Sequence, residues 1–282
     1  MLNERRGREK HVRTIAVASG KGGVGKTNIV ASLAIAMKKA GSNVLILDAD
    51  LGLSNIDVLL HLAPKYNIQN VLNGEMTLKD IMVDGPHGVK ILPATSGVQE
   101  LTSLDEFQRM RILEEFESFD GDIDVLLIDT AAGISENVAF FCIAAQEIII
   151  IASPEPTAIT DAYALIKVLY TRYQEKEFSV LVNSARSDVE AKEVFRRLAT
   201  AAEKFLNISL DYLGYLPYDI AVANSVRTQR AFIDAYPLSK ASKMITELAA
   251  KILGRSKARL KGSLQFFIGN LLSASSDQND SW

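Results

Sequence analysis

Cysteine is all but missing from this chain; the single one, Cys142, lies in an apolar stretch. One thiol excludes an internal disulfide framework and fits a reducing compartment, with Cys142 as a buried structural residue. The three histidines, His11, His61 and His87, are scattered and show no metal-ligand spacing. No apolar run approaches the ~18 residues of a membrane-spanning helix, and no signal-peptide pattern opens the sequence, so a cytoplasmic location is expected. Internal repeats and long low-complexity linkers are also missing. Excess charge of one sign is slight: 31 Lys and Arg stand against 34 Asp and Glu, a formal net charge of -3. That balance argues against a protein built as a whole to bind nucleic acid. What is plentiful is apolar residue, 48% of 282, enough for a sizeable core.

The most informative stretch is Gly20-Lys21-Gly22-Gly23-Val24-Gly25-Lys26-Thr27. It fits the phosphate-binding pattern G-x-x-x-x-G-K-S/T without a mismatch. Before it, Arg13–Ala18 reads as a buried parallel strand; after it, Ile29, Val30, Leu33, Ala34 and Met37 follow helical spacing that ends near Gly41. Strand, glycine-rich turn and helix aim backbone N–H groups and a helix N-terminus at phosphate oxygens. In such a loop Lys26 reaches the β- and γ-phosphates and the Thr27 hydroxyl is placed to bind Mg²⁺. Gly20, Gly22, Gly23, Val24, Gly25 and Asn28 complete the expected nucleotide contacts. A second lysine, Lys21, sits inside the loop.

Further apolar runs at 43–48, 89–93, 123–129, 147–152, 178–183 and 210–216 read as strands, with helical patterns around 103–117, 157–173, 188–206 and 238–253. Short Val/Ile/Leu runs alternating with helices predict a doubly wound α/β fold, a mostly parallel sheet covered on both faces. The expected organisation is a basic arm over 1–12, one nucleotide-binding domain over 13–253, a basic linker and amphipathic helix over 254–272, and a disordered polar tail over 273–282.

Two of these strands end in acids. Asp48 and Asp50 follow Val44–Leu47, and Asp129 follows Val125–Ile128. Ligands of parallel sheets sit outside the carboxyl ends of the strands, so these acids point to the crevice that holds the phosphate loop. Asp129, with Asp48, suits a metal held through water; Asp50 suits positioning of the attacking water. The competing reading is that strand-end aspartates cap the helices that follow.

The loop Lys21-Gly22-Gly23-Val24-Gly25-Lys26-Thr27 resembles the deviant phosphate loop of the MinD/ParA ATPases. Asp48 to Leu60, Asp129 to Ser135 and Glu155 to Lys167 resemble the flagellar-number branch of that family, FlhG/FleN, and the similarity spans about 12–272. The resemblance implies ATP and ADP with Mg²⁺ as ligands, slow regulatory hydrolysis, and a homodimer in the ATP state. In such a dimer Lys21 contacts phosphate in the opposite subunit. It implies adenine contacts from Asn183 and Pro217; no guanine motif follows Asn183. It further implies an anionic membrane surface, a signal-recognition-type GTPase of flagellar assembly, and flagellar switch or regulatory proteins as partners, with no specific nucleic acid. The sequence departs from the branch at residues 1–13, MLNERRGREKHVR, which lack the Gln- and Leu-Arg-rich segment that stimulates the GTPase.

Near the C-terminus, Lys251, Arg255, Lys257, Arg259 and Lys261 precede Leu264, Phe266, Phe267, Ile268, Leu271 and Leu272. On a helix, Leu260, Leu264, Phe267, Ile268 and Leu271 share one stripe. A basic stretch beside such a stripe suits the surface of an anionic bilayer; packing on the protein's own core is the other reading, and the two are compatible if the segment docks in one nucleotide state only. Outside the resemblance, a soluble phosphotransferase or synthetase and a DNA-partitioning ATPase remain open.

Overall fold

The computed structural model describes residues 12–51, 55–94, 104–255 and 265–267. Most of the basic arm, the polar tail and most of the expected amphipathic helix, with Leu264, Ile268 and Leu271, lie outside the described residues.

Eight strands form one sheet: β1 (Arg13–Ser19), β2 (Val44–Ala49), β3 (Val83–Asp84), β4 (Lys90–Leu92), β5 (Val125–Ala132), β6 (Glu147–Ala152), β7 (Ser179–Ala185) and β8 (Asp211–Pro217). Their order is β3-β4-β2-β5-β1-β6-β7-β8. Every pairing is parallel except β3 with β4. The doubly wound parallel sheet expected from sequence is therefore present, with a two-residue antiparallel edge strand added.

Each interior strand divides its side chains between two cores, because successive residues face opposite sides of the pleat. On β1, Ile15 and Val17 join one core while Ala16 and Ala18 join the other. The first core lies under α1 (Lys26–Lys39) and α11 (Lys240–Leu253). The second lies under α5 (Glu106–Glu117), α6 (Glu136–Ala144), α7 (Pro156–Tyr173) and α8 (Asp188–Leu206). Helix starts follow local chemistry. Asp105 caps α5 in a reciprocal box with Gln108, Ser187 accepts from Glu190 N, and Pro156 opens α7, where its missing N–H has no intrahelical partner to lose.

Short helices at Ile56–Leu59 (α2), Ile68–Leu72 (α3), Leu78–Ile81 (α4), Ile220–Arg227 (α9) and Phe232–Ala235 (α10) complete the domain. At the end of the described chain, the backbone N–H of Phe266 donates to Ala144 O of α6. Phe266 and Phe267 are buried in the second core, edge-on to Phe116 with centroids 4.7 and 5.6 Å away. Residues 266–267 form a turn, and Phe267 has φ +57°. At these residues the expected helix is replaced by a tight aromatic plug. Burying two rings against Phe116, Phe140 and Phe141 outweighs helical propensity that Gly262 and Gly269 already weaken.

Candidate nucleotide site

The carboxyl end of β1 runs into the phosphate loop, and α1 begins at Lys26. Two glycines are fixed by their surroundings. A Cβ on Gly20 would lie 2.0 Å from the carbonyl oxygen of Asp161, so the loop sits directly on the backbone of α7. Gly25 has φ +89°, and a Cβ there would lie 2.5 Å from Asn183 Nδ2. That amide donates to Val24 O at 2.7 Å, tying the end of β7 to the loop.

Lys26 and Asp129 form a buried ion pair of 2.5 Å, with side chains 8% and 2% exposed. Asp48 and Asp129 are register partners across β2 and β5, so two buried carboxylates stand side by side at the strand ends. Asp48 also accepts from the backbone N–H groups of Asp50 at 3.1 Å and Ile56 at 3.5 Å. It therefore braces the segment that carries Asp50. The capping alternative thus holds in part for Asp48, whose carboxylate serves a helix start.

Two cavities flank the loop. The first, about 610 Å³, is lined by Gly22 to Asn28 with Asp50, Asn55, Ala131, Ala132, Val58, Val226 and Gln229. The second, about 470 Å³, is lined by Lys21 to Gly25 with Ser153, Glu155, Asn183, Ser184 and Pro217 to Asp219. Lys26, Thr27, Asn28 and Asp50 line the first cavity, and Asn183 and Pro217 line the second.

The stretch Thr130-Ala131-Ala132-Gly133, the last three residues of β5 and the glycine that follows, has two ties to β1. Thr130 Oγ1 donates to Val17 O, and Gly133 N donates to Ser19 O. Its residues Ala131 and Ala132 wall the first cavity opposite the phosphate loop. Lys21 stands on the outer rim, where its Nζ meets Glu155 Oε2 at 2.5 Å and Thr157 Oγ1 at 2.8 Å.

The residues present fit Mg²⁺. The Thr27 hydroxyl and the Asp48 and Asp129 carboxylates offer hard oxygen donors, and Asn28 Oδ1 is a buried acceptor without a partner, as suits a metal-bound water, which donates. Among the described residues no cluster of three or more His, Cys, Asp or Glu is present, so phosphate oxygens would complete the coordination.

Sequence reasoning gave Glu155 and Thr157 no part in the site. The strand-end rule that picked out Asp48 and Asp129 applies equally to β6, whose exit carries them. The apolar wall of Val58, Leu59 and Val226 had no local signal, because distant short helices assemble it. Phe267, placed on a membrane-facing stripe from sequence, is instead 1% exposed and part of the core.

A parallel sheet whose first strand delivers a phosphate loop to buried, acid-ended neighbours defines a P-loop nucleoside triphosphatase. Residues 10–253 match the ParA family model, described as NUBPL iron-transfer P-loop NTPase. The antiactivator FleN of Pseudomonas aeruginosa is 44% identical over 262 residues, covering 93% of this chain and 94% of FleN. The flagellum site-determining protein YlxH of Helicobacter pylori is 30% identical over 246 residues, 87% of this chain and 83% of YlxH. The fold is that of the septum site-determining protein MinD of Pyrococcus horikoshii solved with Mg-ADP, with a TM-score of 0.71, 24% identity, and 89% and 100% of the two chains covered. The chain belongs to the ParA/MinD family of P-loop NTPases and is an ATPase.

Proposed function

We propose that this chain is an ATP-driven switch that dimerises in the ATP state, attaches to the inner membrane surface and regulates flagellar number or placement. The observation that carries the reading is the unequal placement of the two loop lysines. Lys26 is buried beneath the loop, where β- and γ-phosphates lie in such sites. Lys21 is on the rim, held by the start of α7, and does not line the cavity that contains Thr27 and Asp50. A cation so placed suits phosphate in a facing subunit, where it would offset charge developing during transfer.

In this mechanism the loop amides and Lys26 bind the triphosphate. Lys26 would exchange its contact with Asp129 for phosphate, and Asp129, Asp48 and Thr27 are the residues that would hold the metal. Mg²⁺, when bound, neutralises phosphate charge and orients the leaving group. Asp50 orients the attacking water, and the loop after Asp129 closes on the γ-phosphate.

The flagellar role rests on the similarity to FleN and YlxH, and flagellar regulators are the partners it suggests. For the membrane, the basic residues Lys257, Arg259 and Lys261 and the apolar Leu264, Ile268 and Leu271 support attachment to anionic lipid. Phe267 supports it differently, as the inner seat of that segment. Among the described residues no helix is long and apolar enough to cross a bilayer.

Oligomeric state with ADP and with a non-hydrolysable ATP analogue tests the reading. Wild type should dimerise with the analogue only. Lys21→Ala should bind nucleotide yet stay monomeric and inactive, and Asp50→Ala should remain trapped as a dimer in ATP. A Lys21→Ala chain that hydrolysed ATP normally as a dilute monomer would refute it.

A further inference from the structure

Lys21 is already engaged within its own chain. Its ammonium meets a carboxylate, Glu155 Oε2, at 2.5 Å and a hydroxyl, Thr157 Oγ1, at 2.8 Å. The lysine side chain is 34% exposed and that of Glu155 67%, so the contact lies at the surface. It is nevertheless positioned by backbone. Gly20, the preceding residue, is seated so closely on Asp161 in the second turn of α7 that a Cβ would not fit. The Ser19 hydroxyl donates to Lys21 O at 3.0 Å, fixing the loop backbone at the lysine itself. Glu155 is the N-cap residue of α7, yet its side chain caps no backbone N–H. Its carboxylate is thus committed to the lysine and not to the helix.

We propose that Glu155, assisted by Thr157, is a positioning residue that latches Lys21 in cis and so sets the protein concentration at which ATP drives dimerisation. The inference rests on the reading that Lys21 acts in the facing subunit. A lysine held by its own α7 is withheld from a partner's phosphate until the latch opens. Latch and partner phosphate compete for the same ammonium, so the latch weakens the dimer without altering chemistry once the dimer has formed.

The size of the effect follows from exposure and symmetry. Surface ion pairs contribute about 0.2–1 kcal/mol, a factor of about 1.4 to 5 per lysine. A two-fold dimer opens two latches, and the factors multiply to about 2 to 25 in the dimer dissociation constant. Screening shortens the reach of exposed charges from about 10 Å at 0.1 M salt to about 3 Å at 1 M, so the latch should fade as salt rises.

The test is sedimentation analysis of full-length wild type, Glu155→Gln and Glu155→Gln/Thr157→Val with a non-hydrolysable ATP analogue and Mg²⁺, at low and high salt. Thermal melting confirms that the near-isosteric variants are folded. The expected result is a dimer constant tightened at low salt by about 2- to 25-fold, most in the double variant. The difference should shrink toward one at high salt, a response that a merely structural role of Glu155 would not produce. Dimerisation that Glu155→Gln leaves unmoved or weakens would overturn the latch alone. A wild type that stays monomeric with the analogue at every concentration would overturn the latch together with the dimer reading.

Discussion

Removing Lys26 should damage the protein before any nucleotide is added. Its ammonium is 2.5 Å from Asp129, both side chains are nearly inaccessible, and Asp48 lies beside Asp129 in the sheet register. Lys26→Met keeps the stem volume but leaves the buried Asp129 carboxylate without its cation, beside the buried Asp48. Breaking a buried pair by deleting one partner costs about 3–5 kcal/mol, and the neighbouring like charge places this case at the upper end. The double variant Lys26→Met/Asp129→Asn removes the orphan charge and leaves one poorly satisfied amide, a cost of about 1–3 kcal/mol. It should therefore be more stable than Lys26→Met by about 2 kcal/mol, a rescue by a second loss. Urea unfolding of the nucleotide-free proteins measures this directly. Mg-ADP at a hundred times its Kd should add about 2.7 kcal/mol to wild type and far less to either variant. Two single losses that simply add in the double variant would refute the ion pair as described, and an undamaged Lys26→Met would refute its burial.

Asn183 lines the second cavity with its Nδ2 bonded to Val24 O; if its Oδ1 accepts from adenine, Asn183→Ala should weaken ATP about ten-fold, as loss of one hydrogen bond does, yet leave purine riboside triphosphate, which lacks the exocyclic amine, unchanged in calorimetric titration. Equal losses for both nucleotides would show that Asn183 acts through the loop and does not read the base. Phe267→Glu should lower stability by at least the 3–5 kcal/mol typical of losing a buried Phe, read as a shift in urea midpoint. Ile268→Glu should release the protein from anionic liposomes in ATP, measured by sedimentation; equal binding in ATP and ADP by wild type would remove the nucleotide switch.

The phosphate loop and the strand-end acids were legible because their chemistry is local: a fixed spacing of Gly and Lys, and an Asp closing an apolar run. Seven of the eight strands were legible for the same reason. β3 escaped because two residues carry no period. α6 escaped because Phe140, Phe141 and Cys142 are all buried, so no polar face marks a helical repeat. Phe267 was misplaced because an apolar stripe reads the same whether lipid or the protein's own core covers it. The partner was Phe116, about 150 residues earlier in sequence, a separation that no window reaches. Lys21 was legible as a lysine of the loop, whereas its contact with Glu155 depends on how closely Gly20 lets α7 approach.

The seat of Phe266 and Phe267 also has a mechanical side. The tail is moored to Ala144, the last residue of α6, and the first residues of that helix follow the loop that leaves Asp129. A nine-residue helix is about 14 Å long, and tilting it by about 10° displaces one end by about 2 Å relative to the other. Tension on the chain beyond Phe267 is therefore delivered to α6 as a lever, and through it to the wall of the phosphate cavity. Were the segment beyond Phe267 attached to a membrane as proposed, one short helix would join that attachment to the hydrolysing site, and load on either would be felt by the other. Cutting the chain after Lys261 would remove that load path and two core aromatics at once, whereas a change at Ile268 leaves both aromatics in the chain.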